Sequence, residues 1–186
     1  PQDRIIQACQ ELIMEYGYKN FSMNQLALRA GVSKRTLYRY FASKDKVIEE
    51  CLDCFMQSMA ESVENMLEKE SDPARLINMI FSALIAKSNF ALNPRSINDL
   101  HRHYPHLWIK IDKFRQDRIH YIFSTLSARN NRQLFNNTDP RIALAVISAS
   151  VQAVLNPDFI LDNGITFQDA ARQLSQLFLC AFVKSS

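Results

Sequence analysis

The sequence predicts an all-α protein: an N-terminal three-helix unit built around a helix-turn-helix, followed by a larger helical domain, about nine helices in total. Three observations predict it. Apolar residues recur at intervals of three and four nearly throughout, as in Ile5, Cys9, Leu12, Tyr16 and again in Ile48, Leu52, Phe55, Met59, Val63, Met66. Helix starts are marked by Asp72-Pro73, Asn93-Pro94 and Asp139-Pro140, each a capping side chain before a proline whose missing N–H costs nothing in a first turn. Only Gly17, Gly31 and Gly164 are glycine, too few and too far apart for a Rossmann fingerprint or a Walker loop, so nucleotide-dependent enzymes are disfavoured.

In chain order these signals place helices near 3–16, 23–30, 34–40, 43–70, 73–91, 94–103, 106–129, 140–155 and 167–183. Thr166 and Asp169 make a capping box for the last of them. Asn130-Asn131, Asn136-Asn137 and the stretch from Asn156 to Gly164 read as loops. The expected division is 1–47 for the helix-turn-helix domain and 48–186 for a second helical domain.

The net charge of +3 conceals an asymmetry. Residues 1–47 carry eight Lys/Arg against four Asp/Glu, whereas 48–70 carry seven acids against Lys69 alone. A compact basic unit followed by an acidic helix points to a polyanionic partner at one end. The longest apolar stretch, Ile142 to Leu155, is interrupted by Ser148, Ser150 and Gln152 and is shorter than the roughly 20 residues of a membrane span. No basic-then-apolar leader opens the chain, and of the four cysteines only Cys51 and Cys54 are close. A reducing cytoplasm without membrane attachment is therefore expected. Because the chain opens at Pro1, a short leading segment, with any arm it carries, is expected to precede it.

Residues 21–44, FSMNQLALRAGVSKRTLYRYFASK, hold the functional signal. Ser22 and Gln25 form a capping box, and Phe21 and Leu26 are spaced as a hydrophobic staple. Gly31 permits the left-handed turn that ends the helix, and Ser33 caps the next, where Val32 and Leu37 repeat the staple. Leu26, Ala27, Ala30, Val32, Leu37 and Tyr40 fall where two such helices pack. The second helix presents Lys34, Arg35, Thr36, Tyr38 and Arg39, donors suited to base edges and phosphate oxygens. Ser43 caps the following helix, yet Lys44 and Lys46 occupy its first turn, where the helix dipole disfavours cations and a docked phosphate reverses the sign.

With the preceding IIQACQELIMEYGYKNFS, this stretch resembles the N-terminal domain of the TetR/AcrR family of transcriptional regulators. The resemblance rests on Tyr16-Gly17-Tyr18, Ser22, Leu26-Ala27, Ala30-Gly31-Val32-Ser33, Thr36-Leu37-Tyr38, Tyr40-Phe41 and Lys44, and covers residues 4–47. It implies that Ser22, Thr36, Tyr38, Tyr40 and Lys44 contact phosphates and that Asn24, Lys34 and Arg35 read bases. The sequence departs from the family pattern at Arg35, where a small residue is usual, and at Tyr40, where histidine is frequent. Arg35 either reads guanine bidentately or holds a phosphate.

An effector pocket between the later helices draws on their Met and aromatic residues, and Met59, Phe81, Trp108 and Phe114 are its candidate lining. No cofactor and no metal are expected: His101 and His103 point to different faces of a helix, and Pro105 intervenes before His106. Cys51 and Cys54 read as small buried hydrophobes. No nucleophile-base-acid motif is apparent, so no catalytic residues are assigned. Ala145, Val146, Ala149 and Ala153, with Ala171, Leu174 and Phe178, leave more apolar surface than one layer contact consumes, and a homodimer across a twofold buries the surplus. The expected function is a ligand-responsive regulator, in this family most often a repressor, that binds a near-palindromic double-stranded DNA operator as a dimer and is released by a small, largely apolar effector. The alternatives are the same fold regulated by a protein partner, or a small all-helical enzyme or carrier using the apolar cavity.

Overall fold

The computed structural model describes residues 1–128 and 138–182, and every regular element among them is an α-helix. These are α1 (Gln2–Tyr16), α2 (Met23–Arg29), α3 (Lys34–Tyr40), α4 (Lys44–Lys69), α5 (Pro73–Lys87), α6 (Pro94–His103), α7 (Pro105–Ala128), α8 (Pro140–Val154), α9 (Pro157–Asp162) and α10 (Phe167–Phe182). The expected boundary at residue 47 falls inside α4, which runs without interruption from the basic unit into the helices that follow.

The capping signals act as expected. Asp72, Asn93 and Asp139 each accept a backbone N–H from the first turn of α5, α6 and α8, with proline in that turn. The same chemistry operates at Asn156-Pro157, where Asn156 accepts from the Asp158 N–H and starts α9. The stretch expected to be a loop from 156 to 164 therefore contains a helix of under two turns, anchored by buried Pro157 and Ile160. α5 stops at Lys87, short of the expected 91, because the Ala91 and Leu92 N–H groups turn back onto the Ser88 carbonyl and bury both side chains. Asn130-Asn131 and Asn136-Asn137 lie outside the described residues.

α4 is the central strut. Ile48, Leu52, Phe55, Met59, Val63 and Leu67 form one buried stripe along it. It packs on α1 at one end and on α5 and α7 along the rest. Cys51 is buried on that stripe beside Cys9, but Cys54 is exposed, one turn round the helix, contrary to the shared burial expected. α10 lies against α5 and α8, and α6 bridges α1, α7 and α9. α3 is too short to persist alone. It is held by Leu37, its single buried residue, whose truncation to alanine is of a kind that costs about 2–5 kcal/mol.

Candidate nucleic-acid interface and internal cavity

The turn between α2 and α3 is built by local chemistry. Ser22 Oγ accepts the Gln25 N–H at 3.2 Å while Gln25 Oε1 accepts the Ser22 N–H at 2.8 Å, a reciprocal cap. Gly31 has φ +62°, and the Val32 N–H donates to the Ala27 carbonyl at 3.0 Å, closing the turn. Ser33 Oγ accepts the Thr36 N–H at 3.0 Å and starts α3. A long-range contact invisible to local reading completes the turn: the Arg4 guanidinium of α1 donates to the Ala30 and Gly31 carbonyls at 2.8 and 2.7 Å. Arg29 is likewise tied to α1, through Glu11 at 3.3 Å and Glu15 at 2.8 Å.

From Tyr16 to Lys44 the chain contains no acid and six Lys or Arg residues. Asn24, Lys34, Arg35, Tyr38, Arg39 and Tyr40 are exposed, Thr36 is half-exposed, and Lys34 and Arg35 have no ion-pair partner among the described residues. The Arg39 guanidinium lies over the Tyr40 ring at 5.3 Å. Ser22 is exposed with its hydroxyl engaged in the cap. Lys44 is less free than expected. Its Nζ donates to the Lys19 carbonyl at 2.7 Å and sits 4.1 Å from the Phe21 ring centroid, and partial burial holds the ammonium below the ordinary lysine range. Lys46 pairs with Glu49 on its own helix at 2.9 Å, so the unfavourable end charge is partly answered within the chain.

The basic unit is latched to α6 and to the turn that precedes it. Tyr18 is fully buried and its hydroxyl donates to the Ala91 carbonyl at 3.1 Å; the Lys19 N–H donates to Asp99 Oδ2 at 3.0 Å. Arg95 donates to the Glu15 carbonyl. Gly17, at φ +78°, allows this approach, since a Cβ there would stand 2.5 Å from Asp99 Oδ2.

A cavity of about 200 Å³ lies among α4, α5, α7, α8 and α10. Met59, Phe81 and Phe114 line it. Trp108 does not: it lies one turn before Ile111, the first α7 residue on the wall, and its ring instead faces the Arg115 guanidinium at 5.4 Å. Arg115 and Arg118 are also on the wall, where no motif or spacing in the sequence singles them out. Leu92, in the turn beside the Tyr18 hydrogen bond, also lines it.

On α8, Ala145, Val146, Ala149 and Ala153 are exposed together with Ile142. On α10 the expectation needs correction. Ala171, Leu174 and Phe178 are buried within the chain, with Phe178 edge-on to Phe81 at 6.1 Å, because their spacing places them on the face that α10 turns to α5. Among the described side chains of that helix, Leu177, Cys180 and Ala181 are apolar and exposed. Among the described residues no three His, Cys, Asp or Glu side chains are grouped as a metal site, and His101 instead faces Asp158 at 3.0 Å. No described helix is long and apolar enough to cross a membrane.

Residues 5–51 match the model of the bacterial regulatory proteins of the tetR family. The N-terminal unit is therefore of the tetR type. Along most of its length the chain is similar to the uncharacterised HTH-type transcriptional regulator YvaF of Bacillus subtilis, with 27% identity over 88% of this chain and 85% of that one. Its fold is that of a TetR transcription regulator from Haloarcula marismortui, at 17% identity and a TM-score of 0.72, with 98% of each chain covered. It is also that of FadR from Bacillus subtilis in complex with stearoyl-CoA, at 20% identity and a TM-score of 0.64, covering 98% of this chain and all of that one. With its N-terminal unit of the tetR type, the protein is a DNA-binding transcriptional regulator.

Proposed function

We propose that this regulator binds a near-palindromic operator as a homodimer, most simply as a repressor in the cytoplasm, and that a small, largely apolar effector in the cavity releases it. One observation carries the reading: Leu92 is on the cavity wall while the carbonyl of its neighbour Ala91 accepts the buried Tyr18 hydroxyl of the basic unit. A ligand that displaces Leu92 therefore acts on the segment joining α1 to α2, one residue away. The stearoyl-CoA held by the FadR neighbour supports an effector with an apolar chain.

In the DNA-bound dimer, α3 of each protomer enters a major groove. Asn24, Lys34 and Arg35 reach base edges, Ser22, Thr36, Tyr38, Tyr40 and Lys44 hold phosphates, and Arg39 adds a further cation to the same surface. Ala145, Val146, Ala149 and Ala153 of α8 meet the partner across the twofold, joined by Leu177 and Ala181 of α10. The test is selection of bound sequences from a randomised duplex pool, followed by titration of the selected operator with stearoyl-CoA and shorter alkyl compounds. A twofold-symmetric consensus whose complex dissociates on addition of an alkyl ligand supports the reading. Operator affinity indifferent to every such ligand refutes the effector half of it.

A further inference from the structure

Among the described residues the cavity wall carries two charges, and both are positive. Apart from Arg115 and Arg118, every described side chain lining it is apolar. Their acidic partners, Asp112 and Glu64, are not on the wall. The wall thus offers N–H donors and no side-chain carboxylate, amide or hydroxyl to receive a hydrogen bond.

The two arginines stand three residues apart, on one face of α7. Arg115 donates through Nη1 to the Leu155 carbonyl at 2.8 Å and through Nη2 to Asp112. Arg118 donates through Nη1 to Glu64 at 3.2 Å, with its guanidinium 4.8 Å from the Tyr121 ring centroid. The Nε of each is buried without a hydrogen-bond partner. Orphaned buried donors are uncommon, and these two belong to side chains of one apolar wall, where an acceptor brought by a ligand satisfies them once the guanidinium groups turn to it. Arg115 is fixed by the α8 terminus, whereas the partly exposed Arg118–Glu64 pair is weak and exchangeable.

We propose that the effector is an amphipathic anion, its apolar tail packed against Met59, Phe81 and Ile122 and its carboxylate or phosphate head accepting from Arg115 and Arg118. This rests on the reading of the cavity as the effector site. A cationic head meets like charge in a low-dielectric wall, and a neutral ester accepts from the guanidinium without the Coulombic attraction of an ion pair.

The full chain is loaded with the neutral fluorophore N-phenyl-1-naphthylamine, which is displaced in parallel by dodecanoate, dodecanoyl-CoA, dodecyl phosphate, methyl dodecanoate, dodecanol and dodecylamine. The anions are expected to displace it at concentrations about tenfold lower than the ester or alcohol, with the amine weakest. The free acid, thioester and phosphate arms distinguish the sources of the anionic head. R118Q is expected to abolish the preference by weakening the anions far more than dodecanol, and R118K to retain part of it. Should folding of R118Q be impaired, the wild-type ranking alone decides the matter. Equal affinity for dodecanoate and dodecanol overturns the anionic head while leaving an apolar effector site intact. Failure of the fluorophore and all six compounds to bind overturns the effector site and the head together.

Discussion

Tyr18 and Ala91, 73 positions apart in the chain, are joined by a hydrogen bond of 3.1 Å in which a fully buried phenol meets a main-chain carbonyl beside the cavity. Replacing Tyr18 with phenylalanine keeps the ring and deletes the donor. The expected cost is about 1–2 kcal/mol, mostly from leaving the Ala91 carbonyl unpaired. If this bond carries the effector signal, Tyr18→Phe also shrinks the change in operator affinity caused by ligand. Denaturant midpoints and operator titrations with and without stearoyl-CoA separate the two effects; a full ligand response in the variant removes Tyr18 from the route.

Gly17 is the second element of that junction. Alanine there is strained by φ +78° and collides with the Asp99 carboxylate, which itself accepts the Lys19 N–H. A loss of roughly 1–3 kcal/mol is expected from the backbone alone. Asp99→Asn, which keeps an acceptor and removes the charge, is expected to be milder. Urea unfolding of both variants checks the order, and Gly17→Ala as stable as wild type would show that the junction yields freely.

Alkaline pH probes the same region. Burial, reinforced by Asp45 and Asp99, pushes Tyr104 up to about 12, and burial raises Tyr18 well above the ordinary phenol range. Both phenols keep their protons longer in the folded chain than in the unfolded chain, which releases them near pH 10. Above that pH the unfolded state binds fewer protons than the native state, so stability holds below about pH 10 and falls as pH rises towards about 12. Denaturant midpoints across that range are expected to decline more gently for Tyr18→Phe, which has one raised phenol fewer.

The basic surface yields a contrast between two cations. Lys44→Ala is expected to weaken binding to operator and random duplex alike and to lower the salt slope by about one, since a phosphate contact positions without specifying. Its existing contacts with the Lys19 carbonyl and the Phe21 ring predict a small stability loss besides. Arg35→Ala is expected to relax preference at one base pair per half-site, by about 1–3 kcal/mol if the contact is bidentate. An unaltered selected consensus would assign Arg35 to the backbone.

The legible features were those set by chemistry within one turn of chain. Ser22 with Gln25, Gly31, and the Asx-Pro starts of α5, α6 and α8 each act through neighbours three or four residues away, and their structures follow the sequence. α9 carried the same Asn-Pro signal but was obscured by its brevity and by the Asn163-Gly164 end that follows. What remained hidden was the choice of face. Ala171, Leu174 and Phe178 are as apolar as an interface requires, and only the position of α5 reveals that this chain already covers them. Arg115 and Arg118 were hidden for the converse reason, since a charged residue on an amphipathic helix reads as solvent-facing until tertiary packing places it on a cavity wall.

That choice of face changes how dimerisation is tested. Ala171 has no exposed surface, so Ala171→Glu buries an unpaired carboxylate inside the protomer and is expected to prevent folding, whatever the oligomeric state. Val146 on α8 is 45% exposed and sits among Ile142, Ala145 and Ala149, so a charge there leaves a lone protomer nearly unchanged, within about 0.5 kcal/mol. In a twofold interface the same carboxylate approaches its own copy in a desolvated seam, and the cost rises to several kcal/mol per dimer. Val146→Glu is therefore expected to sediment as a folded monomer with helical circular dichroism intact, and its operator affinity to fall towards that of a single half-site. Analytical ultracentrifugation of wild type and variant at micromolar concentration decides between the two environments. A wild type that is itself monomeric, or a Val146→Glu variant that remains dimeric, removes α8 as the interface and with it the paired spacing of the two α3 helices.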